Sequence, residues 1–391
     1  MQEIYIVDAL RTPFGSFGGC LAEIPAVQLA ATVIRGLLVK NGVAAEAVDE
    51  VIIGQVLSGG CGQAPARQAM RLAGLADRTP AMTINKVCGS GLKAMMLGAD
   101  SLALGHSSLV VAGGMENMSL APYLLKKARN GYRMGHGEIF DLLLHDGLQD
   151  PVSGCHMGEI GEASAARCGI GRPEQDAFAA RSYLRAQAAM ENGLFAEEIV
   201  AVIRTTKQGE VEISRDEEPL RGDVAKLSSL RTVFRKDGTI TAGNASTIND
   251  GAALALLTDA AGLKLHGLTP KARIVAMATE SRHPDHFPEA PVGAIEKVCA
   301  RAGLTPTQID LFEINEAFAS VPLIAINALG LDIEKVNING GACAIGHPIG
   351  ASGARLVATL LPALQRQQGR YGLATLCIGG GEAVAMIIER L

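Results

Sequence analysis

"MTINKVCGSGLKAMMLGADSLALGHSSLVVAGG" spans residues 82–114, and "VNINGGACAIGHPIGASGARLVATLLPALQRQQGRYGLATLCIGGG" spans 336–381. Both read as strand, Gly-rich turn, helix, strand and a closing run of glycines; the second turn is longer. In the first helix Leu92, Met95, Met96, Ala99, Leu102 and Ala103 recur at three- and four-residue steps, one apolar stripe. In the second, Leu356, Val357, Leu360, Leu361 and Leu364 do the same, with a kink or early end expected at Pro362. The strands "LVVAG" (109–113) and "LATLCI" (373–378) are apolar throughout, as in a sheet covered by helices on both faces.

Upstream of each copy the correspondence continues. "IYIVDA" (4–9), "AVQLAATVIRGLLVKNG" (26–42) and "DEVIIGQV" (49–56) match "ARIVAMA" (272–278), "GAIEKVCARAG" (293–303) and "IDLFEIN" (309–315). Gly42 stands seven residues before Asp49, and Gly303 seven before Asp310. The chain therefore reads as two duplicated α/β halves. Residues 119–248 break the repeat. They are richer in charge and turn residues, as in "KKARNGYRMGHGE" (126–138) and "ISRDEEPLRGD" (213–223). A helix is predicted over "RPEQDAFAARSYLRAQAAMENG" (172–193), opened by Pro173 and Glu174 and closed by Gly193. "TAGNASTINDGAALALLTD" (241–259) returns to the sheet. The expected organisation is a first half over 1–118 and 249–270, an inserted loop domain over 119–248, and a second half over 271–391.

Composition limits the function. The 391 residues are 48% hydrophobic and 19% charged, with a net charge of -5, which fits a folded protein and not a nucleic-acid binder. No apolar run approaches a membrane span, and the N-terminus lacks the layout of a signal peptide, so a soluble cytoplasmic protein is expected. The eight cysteines form no CxxC and no close pairs, which speaks against disulfides and structural zinc. His283 and His286 make an HxxH without helical context, so no metal site is expected there. Gly341-x4-Gly346 is followed by His347-Pro348 where a phosphate loop needs Lys-Ser/Thr, and the neighbouring glycines do not fit GxGxxG.

Reactive side chains gather where strands meet Gly-rich turns: Cys88 in "NKVCGSG", His347 in "NGGACAIGHPIGASGAR", Cys377 in "LCIGGG", and Asn315 in "NEAF". In open α/β sheets, sites collect at the carboxyl ends of strands. A lone cysteine is usually an inert small hydrophobe. At a helix start, however, amides favour the thiolate, so Cys88 is expected to be a nucleophile with a lowered pKa.

"NKVCGSGLKAM", "TAGNAS", "NEAFA", "NGGACAIGHPIGASGAR" and "LCIGGGEAVAM" together, in this order, resemble the thiolases, and the similarity covers essentially the whole chain. It implies a thiolase-like fold of duplicated α/β halves, layered α-β-α-β-α, with an inserted loop domain. "GYRMGHGEIFDLLLHDGL" (131–148) and "HMG" (156–158) resemble the short-chain branch. That implies acetyl-CoA C-acetyltransferase activity: two acetyl-CoA give acetoacetyl-CoA and CoA, and the reverse. By resemblance, Cys88 is the acetylated nucleophile, His347 takes its proton, and Cys377 is the acid–base at carbon. Asn315 orients a water, and the amides of Cys88 and Gly379 form an oxyanion hole. His156, Met157, Arg221, Ser246 and Phe318 would contact the CoA thioester. No cofactor is required, and no nucleic acid or membrane partner is implied.

The resemblance also implies a homotetramer, a dimer of dimers joined through 119–148, where Lys126, Lys127, Arg129 and Arg133 form a basic run. Phe287-Pro288, where bacterial biosynthetic members often carry Met-Gly, resembles the mitochondrial short-chain branch, some of whose members bind potassium. Cys343 stands where alanine is usual. The alternatives are a degradative 3-ketoacyl-CoA thiolase of broader chain length, a non-catalytic lipid-binding relative, and a decarboxylating ketoacyl synthase.

Overall fold

The computed structural model describes residues 2–391. In chain order the first half supplies β1 (Ile4–Arg11), β2 (Gly15–Ser16), α1 (Ala26–Asn41), β3 (Glu50–Gly54), α2 (Pro65–Leu72), β4 (Ala81–Ile84), α3 (Ser90–Ala103) and β5 (Leu109–Asn117). Two short hairpins follow, β6 (Tyr123–Leu124) with β7 (Phe140–Asp141) and β8 (Val202–Thr206) with β9 (Gly209–Ile213). Between them lie helices α4 (Met157–Arg167) and α5 (Arg172–Glu191). β10 (Asn249–Asp259) and α6 (Ala260–His266) complete the first half. The second supplies β11 (Ala272–Ser281), α7 (Ala290–Ala302), β12 (Leu311–Ile314), α8 (Ser320–Leu329), α9 (Ala342–Ile345), α10 (Ile349–Arg366), β13 (Tyr371–Ile378) and β14 (Glu382–Arg390).

The repeated glycine–aspartate spacing has a physical cause. Gly42 and Gly303 cap α1 and α7 in the left-handed region, at φ 63° and 68°. Asp49 then accepts the N–H groups of Ser108 and Leu109 at the start of β5, at 2.8 and 3.0 Å. Asp310 does the same for Arg370 and Tyr371 at the start of β13, at 2.7 and 2.9 Å. Each aspartate fixes where the last strand of its unit begins.

The two halves meet at β1 and β11, paired antiparallel with Ile4 opposite Ile274. Outward from that seam the strands run β10, β5, β3, β4 on one side and β14, β13, β12 on the other, with matching directions. Val336 bridges Phe312 where a counterpart of β4 would stand. Helices α3 and α10 lie between the half-sheets, α10 touching β5 and β10 of one and β12 and β13 of the other. α1 and α2 cover the outer face of the first half, and α7 that of the second. These are the expected five layers.

The close approach of the middle helices depends on glycine. A Cβ at Gly114 on β5 would fall 1.9 Å from the Gly350 carbonyl, and one at Gly91 would fall 2.8 Å from the same oxygen. Two expectations need correction. α10 does not end at Pro362 but continues to Arg366, because its burial between the two half-sheets outweighs the lost N–H. Of the stretch 241–259, only Asn249–Asp259 is strand.

Candidate active site

Cys88 lies one residue before the N-cap Gly89 of α3, on a strained turn. Val87 has φ 45°, costly for a β-branched residue. Side chains hold that turn: Asn85 Oδ1 accepts from Val87 N at 2.9 Å, Ser90 Oγ accepts from Lys86 N at 2.8 Å, and Ser90 Oγ donates to Val87 O at 2.7 Å. The thiol therefore stands at a fixed place, half-buried, at the end of β4.

His347 follows Gly346, which takes φ 104° and leaves room for Asn249. Asn249 Oδ1 accepts the His347 amide at 2.9 Å. His347 Nδ1 lies 2.5 Å from Ser352 Oγ, and that hydroxyl donates to Pro348 O at 2.9 Å. A serine has one proton to donate, so Ser352 must accept from Nδ1–H. Nε2 is thereby left as the basic nitrogen. It lies 3.5 Å from Asn315 Nδ2, and Asn315 Oδ1 is buried with no hydrogen-bond partner among the described residues. Cys377, next to the end of β13, is buried close to Cys88, and the Gly379 N–H points at the Cys88 sulfur.

Cys88, His347, Cys377 and Gly379 face one cavity of about 580 Å³, together with His156, Met157, Arg221, Ser246 and Phe318, whereas Asn249, Asn315 and Ser352 are not on its wall. His156 caps α4 by accepting Gly158 N–H at 3.0 Å and stacks on Phe234, ring centroids 4.8 Å apart. Phe234 meets Phe318 edge-on at 6.1 Å. Ser246 N donates to Ala317 O at 3.0 Å, tying the loop before β10 to the segment before α8. Phe287 lines the same cavity, whereas Cys343 is buried outside it, donating to Asn244 O at 3.5 Å. Among the described residues no group of three or more His, Cys, Asp or Glu is placed to hold a metal ion.

The electrostatics correct the expectation for Cys88. Burial pushes its thiol up to about 11, outweighing the Gly379 and Cys88 amides, and Glu116 adds to the rise. α3 begins only at Ser90, so the thiol gains less from the helix start than the sequence implies. Burial also pushes Cys377 well above the ordinary thiol range, with Cys88 adding to it. His347 is pushed down to about 3 by burial, then by the Arg355 guanidinium. At neutral pH both thiols and the imidazole are therefore neutral.

Motif reading had no access to Ser352, Asn249, Ser90 or Glu116. Ser352 and Ser90 do sit inside the quoted motifs, but their role depends on which atom each hydroxyl meets.

Two half-sheets deliver one cysteine each, together with a buried histidine, to a single apolar cavity: the layout of an enzyme that carries acyl groups on sulfur. Comparison with known proteins agrees. Residues 4–261 match the family description "Thiolase, N-terminal domain", and residues 268–390 match "Thiolase, C-terminal domain". The chain belongs to the thiolase family. It is 50% identical over full length to proteins named acetyl-CoA acetyltransferase from Pseudomonas aeruginosa and Escherichia coli. It is 48% identical to the human mitochondrial acetyl-CoA acetyltransferase, covering all of this chain and 91% of that protein. A crystal structure of the Bacillus anthracis acetyl-CoA acetyltransferase superposes with a TM-score of 0.97 at 41% identity, over 100% of this chain and 99% of that one.

Proposed function

We propose that this protein is an acetyl-CoA C-acetyltransferase, joining two acetyl-CoA into acetoacetyl-CoA and CoA and running the reverse thiolysis. The observation that carries the reading is the convergence of Cys88, Cys377, His347 and the Gly379 amide on one cavity. Cys88 attacks the thioester carbonyl as its proton passes to His347 Nε2, and the CoA sulfur leaves with a proton from Cys377. This makes acetyl-Cys88, an imidazolium and a Cys377 thiolate. The thiolate takes a methyl proton from the second acetyl-CoA. The enolate oxygen is held by His347 Nε2–H and a water on Asn315, whose free Oδ1 suits that water. The carbanion attacks acetyl-Cys88, the amides of Cys88 and Gly379 hold the oxyanion, and the expelled Cys88 sulfur recovers its proton from His347. All three groups end as they began.

Residues 119–248 act as the loop domain against which CoA lies, with Arg221 exposed at the cavity rim to meet its phosphates. The β6–β7 hairpin exposes Tyr123, Leu125, Met134 and Ile139, Met134 at 99%. Such apolar surface suits burial against a second copy in a homotetramer. Light scattering should show a tetramer, and a dimer when residues 125–139 are shortened; a monomeric wild type refutes this. The eight cysteines are free thiols, which suits a reducing compartment such as the cytoplasm. The functional test is steady-state thiolysis of acetoacetyl-CoA against longer 3-ketoacyl-CoA, with and without potassium. A preference for the longer substrates would favour the degradative alternative, and no turnover of either would refute the proposal.

A further inference from the structure

A buried carboxylate beneath the cavity has no part in the steps above. Glu116, near the end of β5, accepts three backbone N–H groups. Its Oε2 takes Val56 at 3.0 Å and Gly350 at 2.9 Å, and its Oε1 takes Leu57 at 3.1 Å. Val56 and Leu57 follow β3 in the first half, whereas Gly350 opens α10 in the second. A Cβ on Gly350 would stand 2.7 Å from Glu116 Oε2, so the helix start is pressed onto the carboxylate. Val56 and Leu57 belong to one apolar cluster with Met118, Leu143 and Ile349, against which Cys88 and Leu148 pack. Met118, Leu148 and Ile349 are also walls of the cavity.

We propose that Glu116 is a positioning and specificity-determining residue, clamping the Val56–Leu57 and Ile349–Gly350 backbones next to Met118 and so setting the depth of the acyl floor under Cys88. The word acyl rests on the CoA-thioester reading; the clamp itself does not. Oε2 alone bridges the two segments and Oε1 adds Leu57, so holding all three N–H groups takes an acceptor with two oxygens and this reach. A glutamine turns an NH2 toward one of the three N–H groups, and an aspartate withdraws by about 1.5 Å.

The clamp also places a negative charge beside the nucleophile. Glu116 pushes Cys88 and Cys61 up. Glu116 is itself pushed up to about 7, by burial first and by Asp250 on β10, against the pull of its three N–H donors. The titratable groups around it are thus Asp250, Cys61 and Cys88, with His347 three residues before Gly350.

Two variants separate reach from charge, and circular dichroism and thermal melting verify that each is folded. The pH dependence of Cys88 alkylation by iodoacetamide, followed by peptide mapping, needs no CoA substrate. Glu116→Gln should lower its midpoint, because a like charge is removed. Glu116→Asp should leave the midpoint near the wild-type value. Both variants should shift the acetoacetyl-CoA to 3-ketohexanoyl-CoA rate ratio toward the longer substrate by about fivefold.

An unmoved midpoint in folded Glu116→Gln, or an unmoved ratio in the folded variants, overturns the proposal. If Glu116→Gln does not fold, the ratio in Glu116→Asp decides; if neither folds, Glu116 is a fold clasp and the proposal fails. If the wild type turns over neither substrate, the functional reading has failed, and the alkylation midpoints still judge the clamp.

Discussion

At the scale of single residues, the site stores its protons in the resting state. With the Cys88 thiol pushed up to about 11, its thiolate fraction is small at neutral pH and grows as pH rises. Alkylation of Cys88 in the free enzyme should therefore climb about tenfold per pH unit from 7 to 10, because the thiolate is the reactive form. A plateau beginning near pH 8 would refute the neutral-thiol assignment. In the proposed mechanism a protonated thiol needs a base in the correct tautomer, and Ser352 fixes that tautomer of His347. Ser352→Ala removes the acceptor for Nδ1–H, so the ring can place its proton on Nε2 and lose basicity toward Cys88. The expected result is a kcat about 10- to 100-fold lower with KM nearly unchanged. Unchanged kcat would mean that burial alone sets the tautomer.

Among the elements, α10 carries the heaviest constraint, since it faces both half-sheets and leads directly from His347. Gly114→Ala would set a methyl 1.9 Å from the Gly350 carbonyl, a backbone atom that can yield only if the whole helix moves. A loss of about 3 kcal/mol is expected, read as a fall of several degrees in Tm. Gly98→Ala is the comparison: its Cβ meets the Val110 and Leu257 methyls at 3.1 and 3.2 Å, which can adjust, and Ala112 Cβ at 3.3 Å. Equal melting shifts would show that the strand–helix contact is softer than it looks. The same comparison shows what a sequence makes legible. Gly42 and Gly303, Asp49 and Asp310 could be paired because each acts within its own unit, at a fixed spacing. Cys88, His347 and Cys377 stood out through their Gly-rich settings. Glu116 did not, because its partners Val56, Leu57 and Gly350 lie 60, 59 and 234 residues away, and only the folded chain brings them together. The height of the Cys88 pKa was misread for a related reason. The helix start is local and visible in sequence, whereas the apolar enclosure that outweighs it comes from the whole cavity.

Across the whole molecule, the segment that lines much of the cavity is moored to the sheet by one buried cation. Arg11, on β1 at the seam between the halves, meets Glu198 at 2.6 Å and Asp216 at 2.6 and 2.8 Å. Its guanidinium lies between the rings of Phe14 and Phe195, at 5.3 and 5.1 Å. Glu198 also accepts from Thr359 on α10 at 3.0 Å, and Asp216 from Phe14 N at 2.8 Å. Five residues beyond Asp216, Arg221 reaches the cavity. Arg11→Met leaves two carboxylates buried without their counter-ion, which should cost about 3–5 kcal/mol. If the mooring places Arg221, KM for acetyl-CoA should rise more than kcat falls. Replacing the carboxylates as well, in Arg11→Met/Glu198→Leu/Asp216→Leu, removes the stranded charges and should restore most of the stability. It does not restore the ties to Phe14 N and Thr359, so the raised KM should persist. Recovery of both stability and KM in the triple variant would mean that packing alone, without the ion pairs, holds the inserted segment in register with the site.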